Sequence, residues 1–325
     1  MKELRDILGA VRSGPGRRWM LATLVGVRGS SYRQPGARLL MDAEGPVLGA
    51  ISGGCLEGDV FARAKEALAS GAPRLIDYDL RGDLDLIWGS GSGCDGEARI
   101  LVEALDPAAP WLAFAEARLE ARAEARIAIR LGPGLGERVC GERDLQVEEA
   151  FVEPILPPLA LFIFGAGDEV KPLVALAGLL GWTVTVCDHR PAFAKPERFP
   201  QARVQAGHPA QVIPRLALDA RSAAVLLSHN YVKDAEALRL LMEGPAPYLG
   251  LMGHRQRAAR LVEELEAEGV PVDRARLFAP VGLDLGAESP ETLALAIASE
   301  IQAVFGGREG GCLRDRRAAI HGARG

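Results

Sequence analysis

The chain lacks the features that would place it in several large functional classes. Its five cysteines form no CxxC pair, and an odd number leaves no complete disulfide framework. Neither these cysteines nor the five histidines have finger-like spacing, so a structural zinc site is not expected. There is no long apolar span, and the opening MKELRDILGAVRSG is charged and amphipathic rather than signal-like. The expected setting is therefore a reducing cytoplasm with free thiols and no membrane contact. Positive charge is not in excess: 38 Lys and Arg against 43 Asp and Glu give a net charge of −5, without the electrostatic footprint of a nucleic-acid binder. The one basic cluster, RDRRAAIHGARG (314–325), carries glycines and no apolar periodicity, and reads as a frayed tail.

What is present suffices for two domains. The 325 residues are 48% hydrophobic and 25% charged, enough for two separate cores. The first half reads as α+β. Leu4, Ile7, Leu8 and Val11 share one face of a helix over 2–12. WMLATLVGV (19–27) has a strand's apolar density, and ARLLMDAEGPVLGAIS reads as a hairpin turning at Asp42–Gly45. After Cys55 the pattern becomes helical, with Val60, Phe61, Ala64, Ala67 and Leu68 on one side. PRLIDYDL and ARILVEAL are further strands, and EARLEARAEAR (116–126) reads as a charged, solvated helix. The topology of this half does not follow from its sequence. VEPILPPLA (152–160) carries three prolines, which resist helix and central strand alike. It marks a boundary between an N-terminal α+β domain over 1–151 and a second domain over 159–306, with a flexible tail expected over 307–325.

The second half alternates strand and helix. LALFIFGAG (159–167), WTVTVCD (182–188), SAAVLLSH (222–229) and YLGLMGH (248–254) read as strands. VALAGLLG, DAEALRLLMEG, RAARLVEELEAEG and SPETLALAIASEIQAVFG read as helices. This is the rhythm of a Rossmann-like, doubly wound parallel sheet. Ser289 is the expected N-cap of the last helix and Pro290 its first residue. The third position is Thr292 rather than Glu or Gln, so an incomplete capping box is expected.

Sheets of this kind bind ligands outside the carboxyl ends of their strands. That places a candidate site on GAGDEV (165–170), CDHR (187–190), SHN (228–230) and MGHR (252–255). Gly165 and Gly167 would supply the tight turn and the close approach of backbone to phosphate. Asp188, 23 residues beyond Gly165, stands where an acid binds a ribose hydroxyl. The fit to a nicotinamide dinucleotide is imperfect. Val170 replaces the third glycine, while Asp168 and Glu169 put two carboxylates at the helix N-terminus. They suit the helix dipole, but they repel a pyrophosphate unless a metal or an arginine intervenes. His229 and His254 follow successive strands on one edge, the latter between Gly253 and Arg255, a candidate anion partner.

Two glycine-rich turns carry cysteine, ISGGCLEGD (51–59) and WGSGSGCDG (88–96). A thiolate is a soft metal ligand and can carry persulfide sulfur. Gly53 and Gly54 let backbone N–H groups approach a bulky anion. On this reading Cys55 and Cys94 are cofactor-binding and metal-ligating residues. The alternative is that both are small buried residues in tight turns, the commonest fate of a free cysteine. Cys140, Cys187 and Cys312 read as structural or incidental.

Taken together, these segments resemble the XdhC/CoxI family, accessory proteins of xanthine dehydrogenase and related molybdenum hydroxylases. In the first half the likeness is carried by GSSYRQPGARLLM (29–41), SGGCLEGDV (52–60) and WGSGSGCDG (88–96). In the second it is carried by FGAGDEVKPLVALAGLLGWTVTVCDHRP (164–191), LLSHN (226–230), YLGLMGHR (248–255) and APVGLDLGAESPETLALAIASEI (279–301). The resemblance implies a non-catalytic protein that binds the molybdenum cofactor, molybdopterin in its plain or dinucleotide form. It further implies support of oxo-for-sulfur exchange, with a cysteine desulfurase as partner, and insertion into a molybdenum hydroxylase apoenzyme. A homodimer is compatible with it. Many relatives carry histidine after the glycine turn where this chain has Asp168 and Glu169, and serine is common where His254 stands. Two other readings stay open, an NAD(P)-dependent oxidoreductase and a nucleotide-sensing module. The acids after Gly167 weigh against the first, and the cysteine turns against the second.

Overall fold

The computed structural model describes residues 1–29, 31–79, 96–317 and 320. The chain divides into two compact units, Met1–Pro157 and Pro158–Gly325.

The first unit is built on an antiparallel sheet of five strands in the order β3-β2-β1-β5-β4. These are β1 (Trp19–Gly29), β2 (Arg38–Met41), β3 (Pro46–Gly49), β4 (Arg74–Asp79) and β5 (Gly96–Leu105). Strand β1 is central and buried on both faces, and its period-2 alternation divides it between two cores. Met20, Ala22 and Leu24 face α2 (Glu57–Ser70), where they meet Val60, Ala64, Leu39, Met41, Ile100 and Val102. Trp19, Leu21 and Val25 face α1 (Lys2–Ser13), whose Leu4, Ile7, Leu8 and Val11 are all buried. The expected hairpin is present as β2–β3, with Asp42 N–H donating to the Gly45 carbonyl across its turn at 3.0 Å.

A three-stranded antiparallel sheet completes this unit: β6 (Ala125–Arg130), β7 (Arg138–Gly141) and β8 (Ala150–Ile155), in the order β7-β6-β8. Here the expectation of a helix over 116–126 is corrected. Helix α3 (Pro110–Glu120) stops because Arg122 adopts a left-handed φ of 51° and Ala123 N–H closes the end on the Arg118 carbonyl. Ala125, Ile127 and Ile129 then alternate into the core as strand β6. The proline-rich segment is strand in its first part. Pro154 lies in β8, opposite Arg126, on the edge of the sheet, where a missing N–H donor is tolerated. Two buried ion pairs tie the sheets of this unit together, Arg38–Glu153 from β2 to β8 and Arg138–Glu103 from β7 to β5.

The second unit is a parallel sheet in the order β11-β10-β9-β12-β13-β14. Its strands are β9 (Ala160–Phe164), β10 (Thr183–Asp188), β11 (Arg203–Ala206), β12 (Ser222–Leu226), β13 (Tyr248–Leu251) and β14 (Leu277–Phe278). Read from β9 as the first strand, this is the 3-2-1-4-5-6 order of a doubly wound dinucleotide fold. Leu161 and Ile163 of β9 pack under α4 (Val170–Leu179) and the last helix, α8 (Pro290–Phe305). The alternate residues Ala160, Phe162 and Phe164 face α6 (Tyr231–Met242) and α7 (Arg255–Ala267), and the short α5 (Pro209–Val212) precedes α6. The capping box of α8 is complete, contrary to expectation. The Thr292 hydroxyl accepts from Ser289 N–H at 2.9 Å, as a Glu or Gln would, while Thr292 N–H donates to Ser289 Oγ at 3.3 Å.

Candidate functional site

Order reverses between β9 and β12, so the loops following these two strands flank the crevice where doubly wound folds hold ligands. Gly165 ends β9 at φ 131°, and a Cβ there would collide with the Leu227 carbonyl of the loop after β12. Only glycine permits both the turn and this close approach. Val170, at the place of a third glycine, is the first residue of α4 and fully buried in the core.

Asp188 closes β10 as expected, with 4% of its surface exposed. Its Oδ2 accepts from Ala166 N–H and the Arg190 guanidinium, both at 2.8 Å. Its Oδ1 accepts from Arg190 N–H at 2.8 Å and Arg190 Nε at 3.0 Å. Burial alone would raise the carboxyl's pKa, but the Arg190 side chain, then the two backbone donors, outweigh it and hold the group below the usual carboxylate range. These four bonds fill the lone-pair sites of a carboxylate. A ligand hydroxyl therefore reaches Asp188 only by displacing one of its own donors. In this arrangement Asp188 fixes the Gly165–Gly167 turn through Ala166 and holds Arg190, whose guanidinium lies 4.1 Å from the Phe193 ring centroid. Neighbouring Cys187 is buried, and desolvation followed by the Asp188 charge pushes its thiol up to about 12, so it is neutral and unreactive.

The two acids after Gly167 have different surroundings. Asp168 is 80% exposed and paired with Lys171 at 2.7 Å and Arg198 at 3.0 Å, which lower its pKa in that order. Arg198 also donates to the Ala166 carbonyl at 2.6 Å, so an arginine does stand beside the turn. Glu169 folds back over Gly167, its carboxylate occupying the place a Gly167 side chain would take. Its Oε1 lies 3.2 Å from His229 Nε2, and His229 holds a left-handed φ of 54°. Behind His229, Ser228 Oγ donates to buried Asp234 at 2.6 Å, and Arg257 bridges Asp234 at 2.6 Å to the Met252 carbonyl at 2.8 Å. This chain of bonds joins the loop after β12 to the loop after β13. A hollow at the strand ends is lined by Gly165, Asp188, His189, Gly207, Ser228 and Lys233, among others.

The structure thus brings Gly165, Gly167, Asp188 and His229 together, with Asp168 at the rim. It does not join His254 and Arg255 to them. Both lie exposed at the start of α7, and His254 makes no side-chain cap bond. Gly253 has a φ of 136°, and a side chain there would press on the Arg257 side chain, 3.1 Å away at Cδ. Sequence reading missed Arg190 as the partner of Asp188, although the CDHR segment contains it. Nothing local signals Asp234 and Arg257, because their pairing spans 23 positions.

In the first unit, Cys55 is half-buried in the turn that opens α2. Gly54 takes a φ of 109° with open space where its side chain would be. The turn is organised by Glu57, whose carboxylate accepts from Ser52 N–H at 2.9 Å, Ile51 N–H at 3.3 Å and the Ser52 hydroxyl. Ser52 Oγ in turn accepts from Gly54 and Leu56 N–H, each at 3.2 Å. Burial pushes the Glu57 pKa up, and the Ser52 bonds more than reverse it, so the group is held ionised. Cys94 lies outside the described residues. Among the described residues no group of three or more His, Cys, Asp or Glu is placed to hold a metal ion, and no helix is long and apolar enough to cross a membrane.

The sheet order and the glycine turn at its switch point define the second unit as a Rossmann-type domain, here joined to an antiparallel unit bearing a Gly-Gly-Cys turn. The chain belongs to the XdhC and CoxI family. The model of that family matches residues 14–79, and that of the XdhC Rossmann domain matches residues 161–301. The chain is 31% identical over 317 residues to a Bacillus subtilis protein described as a probable xanthine dehydrogenase subunit, covering 87% of this chain and 92% of that one. It is 28% identical over 312 residues to the Escherichia coli molybdenum cofactor insertion chaperone PaoD, covering 93% and 87%. A crystal structure from Bacillus halodurans, described as a xanthine dehydrogenase, superposes with a TM-score of 0.82 at 29% identity, covering 95% of this chain and 97% of that one.

Proposed function

We propose that this chain is an accessory protein that binds the molybdenum cofactor as cargo and assists its insertion into a xanthine dehydrogenase-type hydroxylase. The observation that carries the reading is likeness along both units at once to a chaperone named for molybdenum cofactor insertion. A Rossmann domain alone would fit many proteins; the glycine-cysteine turn of the first unit adds a group suited to a soft-metal cargo. The local chemistry fits. Cys55 offers a half-buried thiol at the N-terminal end of a 14-residue helix, with unfilled space beside Gly54. A thiol is a soft ligand for molybdenum or a carrier of sulfur.

On this reading Cys55, with Gly53 and Gly54, contacts the metal end of the cargo, and Cys94 is its parallel in the second turn. The Gly165–Gly167 turn, Asp188 and His229 form a second contact region, and the exposed His254–Arg255 pair a separate one. Sulfuration of the cargo before transfer, a cysteine desulfurase as sulfur donor, a hydroxylase apoenzyme as acceptor, a cytoplasmic setting and a homodimeric state complete the proposal. The test is purification from a molybdenum-replete host, followed by pterin fluorescence after oxidation and metal analysis. Co-purifying pterin and molybdenum in the parent, much reduced in Cys55→Ala with an unchanged melting temperature, is the expected result. Equal retention by the two proteins would remove Cys55 from the site, and absence of pterin from the parent would overturn the reading.

A further inference from the structure

In a glycine-rich Rossmann turn the second glycine exists to leave space: without a side chain there, the backbone comes close to the ligand's pyrophosphate. Gly167 is that residue here, and the space is filled from within. Both carboxylate oxygens of Glu169 lie where a Gly167 side chain would begin. The carboxylate is anchored by His229 at 3.2 Å, from a backbone conformation that few residues other than glycine adopt. Glu169 immediately precedes α4, so its charge stands at the helix end that would otherwise attract phosphate. Asp168 does not share this position. It is exposed, and Lys171 and Arg198 balance it.

We propose that Glu169, held by His229, decides which ligands this domain admits: it takes the place of a dinucleotide's pyrophosphate, so nicotinamide dinucleotides, and a dinucleotide form of the cofactor in the same pose, are excluded. The inference rests on the reading of the second unit as a ligand-binding Rossmann domain. It explains how a sheet with the complete dinucleotide strand order need not act as a dehydrogenase.

The experiment titrates full-length protein with NADH, following nucleotide fluorescence, for the parent and for Glu169→Gln, Glu169→Ala and Asp168→Asn. Folding of each is checked by its melting temperature. Removing the charge in Glu169→Gln is expected to tighten NADH binding by about tenfold or more, because a like charge against a phosphate is worth on the order of a kcal/mol or above. Glu169→Ala, which also clears the space, is expected to gain more, and Asp168→Asn to fall well short of both. Tight NADH binding by the parent overturns the proposal. So does the absence of any gain in both Glu169 variants, or an equal gain in Asp168→Asn. Pterin retention by the parent is measured on the same preparations. A failed gain leaves the cofactor reading standing, while absent pterin with a clear gain removes that reading and keeps Glu169 as the selectivity residue.

Discussion

Replacing Asp188 by asparagine is expected to damage the second unit in a way that can be sized from its contacts. The carboxylate accepts four hydrogen bonds, two from backbone and two from the Arg190 guanidinium. An asparagine keeps one oxygen and turns an NH2 group towards two of those donors. Breaking a fully buried ion pair costs about 3–5 kcal/mol. Arg190 is 39% exposed and recovers part of its hydration, so a loss of about 2–3 kcal/mol is expected. For a domain of this size that corresponds to a fall of roughly 4–12 °C in melting temperature. Because the folded carboxyl titrates below its unfolded value, its stabilisation is fully present above about pH 4 and is lost as pH falls through the folded value. The gap between parent and variant should therefore close in acid. Calorimetry of the full chain across pH, with hydrogen exchange at Ala166, reads both the energy and the loosened turn. A variant that melts with the parent at neutral pH, with unchanged Ala166 exchange, would refute the assignment of Asp188 as the anchor of the glycine turn.

Gly165→Ala forces a side chain into the Leu227 carbonyl at a left-handed φ, so loss of several kcal/mol and poor soluble yield are expected; a variant with the parent's melting temperature would show that the two loops do not approach as described. Glu57→Gln removes the charge that organises the Cys55 turn and should cost about 1–2 kcal/mol at neutral pH, an effect fading in acid because the folded carboxyl is held low; unchanged urea midpoints would contradict it. Ser228→Ala leaves Asp234 without one of its donors and should lower stability by about 1–2 kcal/mol while increasing exchange at His229 and Asn230; unaltered exchange there would dismiss the coupling of the two loops.

Periodicity made four of the six strands of the second unit legible in advance, β9, β10, β12 and β13; the short edge strands β11 and β14 were not. The central strand is a continuous apolar run, ALFIF, and a glycine or histidine stands within three residues after each of these four. Helix α1 and the β2–β3 hairpin were equally plain, because four apolar residues at helical spacing and a DAEG turn are local signals. The three-stranded sheet of the first unit was not legible. Its strand β6 follows directly on a charged helical stretch, and the left-handed Arg122 that separates them has no signature in its own residue type. At the site, the glycine turn, Asp188 and His229 could be named from order alone. Which acid faces the turn could not, since Asp168 and Glu169 are adjacent and chemically alike. Their difference lies in Arg198, 30 positions from Asp168, and in His229, 60 from Glu169. Long-range partners of this kind decide charge balance and leave no periodic trace.

The most direct measurement of the central claim is the molybdenum content and specific activity of a xanthine dehydrogenase-type hydroxylase produced with and without this chain. Both preparations should come from the same molybdenum-replete host lacking any other protein of this family. The account predicts comparable amounts of hydroxylase polypeptide in both, with molybdenum and activity high only where the chain is present and markedly reduced where it carries Cys55→Ala. Equal molybdenum and activity per polypeptide in its absence would contradict the account.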